Sequence, residues 1–123
     1  MNPETVIQNA IRAALGKQSD VVMWRNHTGR IRDERGAWHA FGLAVGSADL
    51  IGAVSIPVPT TIAATGALAR LFVLEVKTPV GRATPEQKNF LRVVRMAGGF
   101  GAFVRSVDDA IAALERARKG ASE

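Results

Sequence analysis

The chain has no cysteine and no tyrosine, and it has only two histidines among its 123 residues. Without cysteine there is no disulfide, no thiolate zinc site and no cysteine nucleophile. With two histidines, a metal site would have to use mainly carboxylate oxygens, which are ligands that suit Mg²⁺ or Mn²⁺. The sequence also lacks a P-loop, a dinucleotide-binding fingerprint and a nucleophile elbow, so we expect no organic cofactor.

The sequence shows neither a secretory leader nor a membrane-spanning helix. Met1–Ala10 contains Glu4 and several polar residues, where a signal peptide would need a basic start and an apolar core. The uncharged stretch Leu50–Ala69 has the length of a membrane span, but Pro57 and Pro59 lie inside it and favour a strand, a turn and a strand. We therefore expect a cytoplasmic protein with no membrane association.

Positive charge is in excess: the formal net charge is +5 and the sequence pI is about 10.7. Such a balance favours a polyanionic partner such as DNA, because Lys and Arg contacts with phosphates release condensed counterions. The polar composition of Asn26–His39 predicts an exposed loop. Arginine side chains lie in and beside it, and their guanidinium groups match the geometry of phosphates. The predicted DNA contacts are Arg25, Arg30, Arg32 and Arg35, with Lys88 on a later helix. The alternative is a solvated basic loop.

The order of predicted elements is α, β, β, β, α, β, α. Hydrophobic spacing and capping residues predict three helices and four strands. The helices are Glu4–Leu15, Pro85 to about Ala97, and Asp108–Arg118; the strands are Val21–Arg25, Asp49–Val54, Leu71–Lys77 and Phe100–Arg105. Ile56–Ala69 is expected to be a hairpin or a loop excursion. The pattern predicts one α/β domain over residues 1–123, with a mixed central sheet flanked by helices and a frayed polar tail at about 119–123.

The strongest predicted strand changes character along one of its faces. Glu75 and Lys77 are two residues apart, so both side chains project from the face on which apolar side chains precede them. Burying charges at a strand end is costly unless they are paired or bind an ion. Asp49 opens another strand, and if the two strands are adjacent, its carboxylate would lie beside Glu75 and favour a divalent cation. The alternative is a Glu–Lys pair at a solvated strand end with an unrelated Asp49.

Short motifs along most of the chain resemble one group of nucleases. Gly46–Leu50 followed by Leu74–Lys77 resembles the Asp…Glu-X-Lys signature of the PD-(D/E)XK nuclease superfamily, and the chain is similar to its virus-type replication-repair nuclease (VRR-NUC) family. The similar segments also include Glu4–Gln8, Trp24–Asn26 with Gly29, the helix that carries Gln87, and Val104–Ala110. Two features depart from the pattern. Ala48 stands where the superfamily often has proline, and the connection from Asp49 to Glu75 is long for the family.

The resemblance implies a restriction-endonuclease-like core and an Mg²⁺- or Mn²⁺-dependent endonuclease that hydrolyses DNA phosphodiester bonds. It implies a homodimer that is selective for branched DNA such as Holliday junctions, with DNA repair as its setting. The implied metal ligands are Glu4, Asp49, Glu75 and the backbone carbonyl of Val76, and the further implied catalytic residues are Lys77 and Gln87.

Some of these residues also have plain structural interpretations. An acidic Glu4 in the first helical turn would stabilise the helix dipole, and Gln87 three residues after Thr84 suits a capping box. Gln8, one turn after Glu4, has two interpretations: it faces the site as Glu4 does, or, as we expect, it is a solvated helix residue. For the chain as a whole, two other hypotheses stay open. One is a non-catalytic basic DNA-binding module, and the other is a subunit whose Ile56–Ala69 segment docks a larger partner.

Overall fold

The computed structural model describes residues 1–123 and contains three helices and six strands. The helices are α1 (Pro3–Leu15), α2 (Pro85–Met96) and α3 (Val107–Arg118), and the strands are β1 (Val21–Arg25), β2 (Gly29–Arg32), β3 (Trp38–Phe41), β4 (Leu50–Pro57), β5 (Ala67–Val76) and β6 (Phe100–Val104). None of the three helices has the length and apolar character needed to span a bilayer.

Four strands form a mixed central sheet in the order β1-β4-β5-β6. The pairs β1–β4 and β4–β5 are antiparallel, whereas β5 and β6 are parallel and are connected through α2. On one face, α1 and α3 pack over a core that includes Ile11, Phe72 and Leu114. On the other face, α2 packs on β5 and β6 through Leu91 and Val94. The predicted α/β class, with a mixed sheet between helices, is confirmed.

The segment Asn26–His39 was predicted to be a loop, and this prediction is wrong. β2 and β3 form a separate two-stranded antiparallel hairpin. Asp33 shapes its turn, because Oδ1 accepts hydrogen bonds from the backbone N–H groups of Arg35 and Ala37, both at 2.9 Å. Both strands are four residues long and largely exposed, so they lack the alternation of apolar and polar residues that reveals a half-buried strand.

The predicted excursion Ile56–Ala69 is a hairpin, which was one of the two predicted alternatives, and its two ends belong to long paired strands. β4 continues to Pro57, which pairs with Ala67 at the start of β5, so the connection is a hairpin of residues 58–66. Pro57 is tolerated because it ends its strand. The C-terminal tail also differs from the prediction: it is not frayed, since the Gly101 N–H donates to the Ser122 carbonyl at 3.0 Å and the tail thereby covers the edge of β6.

Candidate active site

Strand register brings the two predicted metal-binding carboxylates together. Leu50 of β4 pairs with Leu74 of β5 in an antiparallel ladder, so Asp49, one residue earlier, lies opposite Glu75, one residue later. The backbone N–H of Val76 donates a 2.8 Å hydrogen bond to Asp49 Oδ2. The condition set by the sequence, that the two strands be adjacent, is therefore met.

Helix α1 delivers the third carboxylate from its first turn. Asn2 caps this helix by accepting a 2.8 Å hydrogen bond from the Glu4 N–H, which fixes where the helix starts. Oxygen atoms of Glu4, Asp49 and Glu75 lie within 4.8 Å of one another. Two ligands on opposite sides of an Mg²⁺ ion are about 4 Å apart, so this spacing is near to what a single cation needs.

Lys77 follows Glu75 on the same strand face, and its Nζ lies 4.0 Å from Glu75 Oε1. Glu75 is only 2% exposed and Lys77 only 8% exposed. The alternative of a Glu–Lys pair at a solvated strand end is therefore wrong. The Lys77 N–H donates to the Val104 carbonyl at 2.9 Å, so the backbone beneath the ammonium group is fixed to β6.

Gln87 forms the capping box that the sequence offered as its structural interpretation, and it also contacts Glu75; its catalytic role stays a prediction. Its side-chain Oε1 accepts a 2.9 Å hydrogen bond from the Thr84 N–H, and its own N–H donates to Thr84 Oγ1 at 3.1 Å, which completes a capping box. The other end of the same amide, Nε2, donates to Glu75 Oε1 at 2.9 Å. The start of α2 is thus tied to the acidic cluster through one side chain.

The environment favours the neutral form of the buried glutamate. Burial and the negative charge of Asp49 raise the pKa of Glu75 to about 9, against a smaller opposite effect of the Lys77 ammonium group. Burial and the Asp49 charge also raise the pKa of Glu4 from its ordinary value. Three carboxylates this close are therefore costly to ionise together unless a cation joins them.

The residues present fit a divalent cation. Glu75 Oε2 is buried and has no hydrogen-bond partner. A buried polar atom without a partner is unusual in native proteins and often marks an ion or a water site. The donor set consists of carboxylate oxygens, which hard cations prefer over nitrogen or sulfur ligands. Glu4, Asp49 and Glu75 would hold the ion, and a contribution from the Val76 carbonyl stays a prediction.

Two residues that support the loop before Asp49 were not singled out as functional from the sequence. Asn26 Nδ2 donates to Ser47 Oγ at 2.7 Å and to the Ala48 carbonyl at 3.0 Å. Gly46 has a φ of +80°, and a Cβ added there would lie 2.4 Å from the carbonyl carbon of Glu86 at the start of α2. The short motifs around both residues were visible in the sequence, but only the fold shows what they touch.

The prediction that Gln8 is a solvated helix residue is wrong. Gln8 is 6% exposed, and its Oε1 has no hydrogen-bond partner. It lies one helical turn after Glu4 and so shares that side of α1. The glutamine type alone favoured solvent, and the contrary signal was its spacing from Glu4.

The predicted DNA-contacting residues come from three separate elements. Arg30, Arg32 and Arg35 belong to the β2–β3 hairpin, whereas Arg25 ends β1 and Lys88 lies on α2; all five are exposed. The guanidinium carbons of Arg30 and Arg32 lie 5.6 and 5.8 Å from the ring centroid of Trp38. The structure thus gathers three of the five on one projecting hairpin.

Comparison with known proteins identifies the fold. No protein-family model matches the chain, and no curated protein matches it significantly. A solved structure of a VRR_NUC domain protein matches with a TM-score of 0.58 and 16% sequence identity, covering 100% of this chain and 98% of that chain. This chain has the fold of a VRR_NUC domain protein. The resemblance predicted from the sequence motifs is confirmed at the level of the VRR_NUC fold, and an identity this low supports the fold alone.

Proposed function

We propose that this protein is a nuclease that hydrolyses DNA phosphodiester bonds with Mg²⁺ or Mn²⁺, acting as one domain over residues 1–123. The observation that carries the proposal is the cluster of three carboxylates within 4.8 Å of one another beside a buried lysine. One of these carboxylates, Glu75, has a buried oxygen that lacks a hydrogen-bond partner. A purely structural ion pair would not need three converging acidic groups.

In this proposal each residue of the cluster has a distinct role. Glu4, Asp49 and Glu75 would hold a divalent cation, which would supply Lewis acidity for the hydrolysis of a phosphodiester bond. The Lys77 ammonium orients the attacking water and stabilises the charge that develops on the phosphate oxygens. Gln87 holds the Glu75 carboxylate in place through its 2.9 Å hydrogen bond. In-line attack on phosphorus breaks the bond to the 3′ oxygen, leaving a 5′-phosphate and a 3′-hydroxyl.

The substrate proposed is branched DNA such as a Holliday junction, and the enzyme proposed is a homodimer that functions in DNA repair. The net charge of +5 supports a polyanionic substrate, as do the exposed arginines of the hairpin. Two-fold symmetry would place two equivalent acidic centres on opposite arms of a symmetric junction. A DNA substrate also fits the cytoplasmic location expected from the sequence.

The test is cleavage of a panel of flap, fork, four-way junction and linear DNAs with Mg²⁺ and with Mn²⁺. We expect cleavage of branched DNA that needs added metal and stops with a chelator. Asp49→Asn and Lys77→Ala are expected to abolish cleavage, while their binding to the same DNAs persists. If the wild-type protein binds these DNAs but cuts none of them with either metal, the nuclease proposal fails and a non-catalytic DNA-binding module replaces it.

A further inference from the structure

Both tryptophans of this chain are exposed, and one of them lies on the face of the sheet that carries the acidic cluster. Trp24 is 64% exposed and Trp38 is 57% exposed. In the ladder between β1 and β4, Trp24 pairs with Ile51, and Ile51 in turn pairs with Val73 of β5. Directly opposed residues of an antiparallel pair share a face, so these three side chains form a row across the sheet.

The next row along this face is the acidic one. Asp49 precedes Ile51 by two residues and Glu75 follows Val73 by two residues, so both project on the same side as Trp24. One strand spacing and two residues of strand rise separate the Cα atoms of Trp24 and Asp49 by about 8 Å. A nucleotide whose phosphate lies at the acidic cluster has its neighbouring bases within reach of an indole at that distance.

This part of the sheet is open because α2 covers only its other half. Helix α2 packs on β5 and β6, so no helix covers the β1 side chains that project from this same face. The backbone that carries Trp24 is nevertheless held in place. Asn26 directly follows β1, and its backbone N–H donates to the Asp49 carbonyl at 2.7 Å. The end of β1 is thereby bound to the residue that precedes β4.

We propose that Trp24 is a stacking platform for an unpaired base next to the scissile phosphate. This rests on the proposed nuclease function and deepens it, because it makes single-stranded or unstacked nucleotides beside the cleavage position the feature that is recognised. An aromatic ring stacks on any base, so such a platform selects DNA structure and not DNA sequence. A base paired within a continuous duplex cannot offer its face to the indole.

The alternative is that this exposed apolar face is an interface with a second copy of the chain. On the strands themselves, the exposed large apolar side chains of this region are Val22, Trp24 and Leu71. Three side chains are few for a stable interface, which buries about 800 Å² on each partner. Trp24 is also the one of the three that lies nearest to the acidic row, where an interface would bury uncompensated charge.

The chain offers a direct optical test, since it has two tryptophans and no tyrosine. In Trp38→Phe protein, all tryptophan emission comes from Trp24. With a chelator present to prevent cleavage, oligo(dT) and forks with single-stranded arms are expected to quench this emission. A blunt duplex of the same length is expected to quench the Trp24 emission much less. The anisotropy of labelled DNA shows that the protein is saturated with each DNA. Trp24→Phe protein, which reports on Trp38 alone, is the matched control.

Cleavage kinetics give the second measurement. Trp24→Ala is expected to lower kcat/KM on forks by about 5- to 100-fold, the range that loss of one base–aromatic stack produces, while Trp24→Phe keeps most of the activity. Val22→Ala, on the same strand face, is expected to leave kcat/KM unchanged. Trp24 emission that does not respond to saturating forked DNA overturns the proposal, and so does emission that changes with protein concentration alone. Quenching by a protein that never cuts would refute the nuclease and leave the stacking platform standing.

Discussion

Glu75 combines two opposed properties at the residue scale: its burial favours the neutral carboxyl, whereas cation binding requires the carboxylate. Its pKa is about 9 in the folded protein without metal, against an ordinary value of 4.5. Between these two pH values the folded chain binds more protons at this position than the unfolded chain does. Stability without metal is therefore expected to fall as the pH rises through that window.

This gives the first prediction. In a chelator, Glu75→Gln is expected to flatten the fall in unfolding free energy with pH and to be more stable than wild type at the alkaline end by about 1–3 kcal/mol. Asp49→Asn removes a charge that raises the pKa of Glu75, so it is expected to flatten the curve in part. Urea unfolding of the three proteins across the pH window measures both effects. If the unfolding free energies of wild type and Glu75→Gln changed with pH in parallel, the raised pKa of the buried Glu75 carboxyl would be contradicted.

At the element scale, the start of α2 caps the helix and also holds Glu75 through Gln87, and two variants can separate these effects. Thr84→Ala removes the N-cap and leaves the Gln87–Glu75 hydrogen bond available, so it is expected to cost about 1 kcal/mol of stability and little activity. Gln87→Ala removes both contacts, and it is expected to lower kcat/KM on branched DNA about 10-fold or more. Thermal unfolding and cleavage rates of the two variants measure the difference. Equal activity losses would show that Gln87 acts only through the helix.

The turn before Asp49 supplies a prediction with a closely matched control. Gly46 has a φ of +80° and lies against the backbone of Glu86, whereas Gly66 has a φ of +75° and no atoms within 4 Å of an added Cβ. Gly66→Ala is expected to cost about 1–2 kcal/mol through backbone conformation alone and to leave cleavage unchanged. Gly46→Ala adds a clash that displaces the Asp49 loop from α2. It is therefore expected to lose more stability and, in the protein that remains folded, most of its cleavage activity.

The elements also show where sequence reasoning succeeds and where it stops. Long amphipathic helices and the apolar strand that carries Glu75 have their own hydrophobic patterns, so their positions were predicted. The hairpin of β2 and β3 was missed because its strands are short and largely exposed, so they show no alternation of apolar and polar residues. At the site, residue type and spacing made Asp49, Glu75 and Lys77 candidates, but the adjacency of their strands was only a condition, and their roles were implied by the family resemblance. The link from Gln87 to Glu75 was not derivable from the local capping pattern, since it depends on how α2 crosses the sheet.

At the scale of the whole molecule, the excess of 16 basic over 11 acidic residues is expected to drive DNA binding through counterion release. The steepness of the salt dependence then counts the cations that meet phosphates, irrespective of the DNA sequence. Arg30 suits a test of the hairpin. It is exposed, and its guanidinium carbon lies 5.6 Å from the centroid of the Trp38 ring, so truncation of this side chain is expected to leave the fold largely unaffected. Arg12, exposed on α1, carries the same charge on a different element.

Arg30→Ala is therefore expected to reduce the slope of log K against log salt by about 1 and to weaken binding to all DNA shapes by a similar factor. Arg12→Ala changes the net charge by the same amount and is expected to leave that slope unchanged. Titrations of labelled DNA at several salt concentrations measure both slopes. If the two variants behave alike, the net charge attracts DNA without a defined path across the surface. A loss confined to Arg30→Ala would instead assign the hairpin to the DNA-contacting surface, because only a cation that meets a phosphate displaces a counterion.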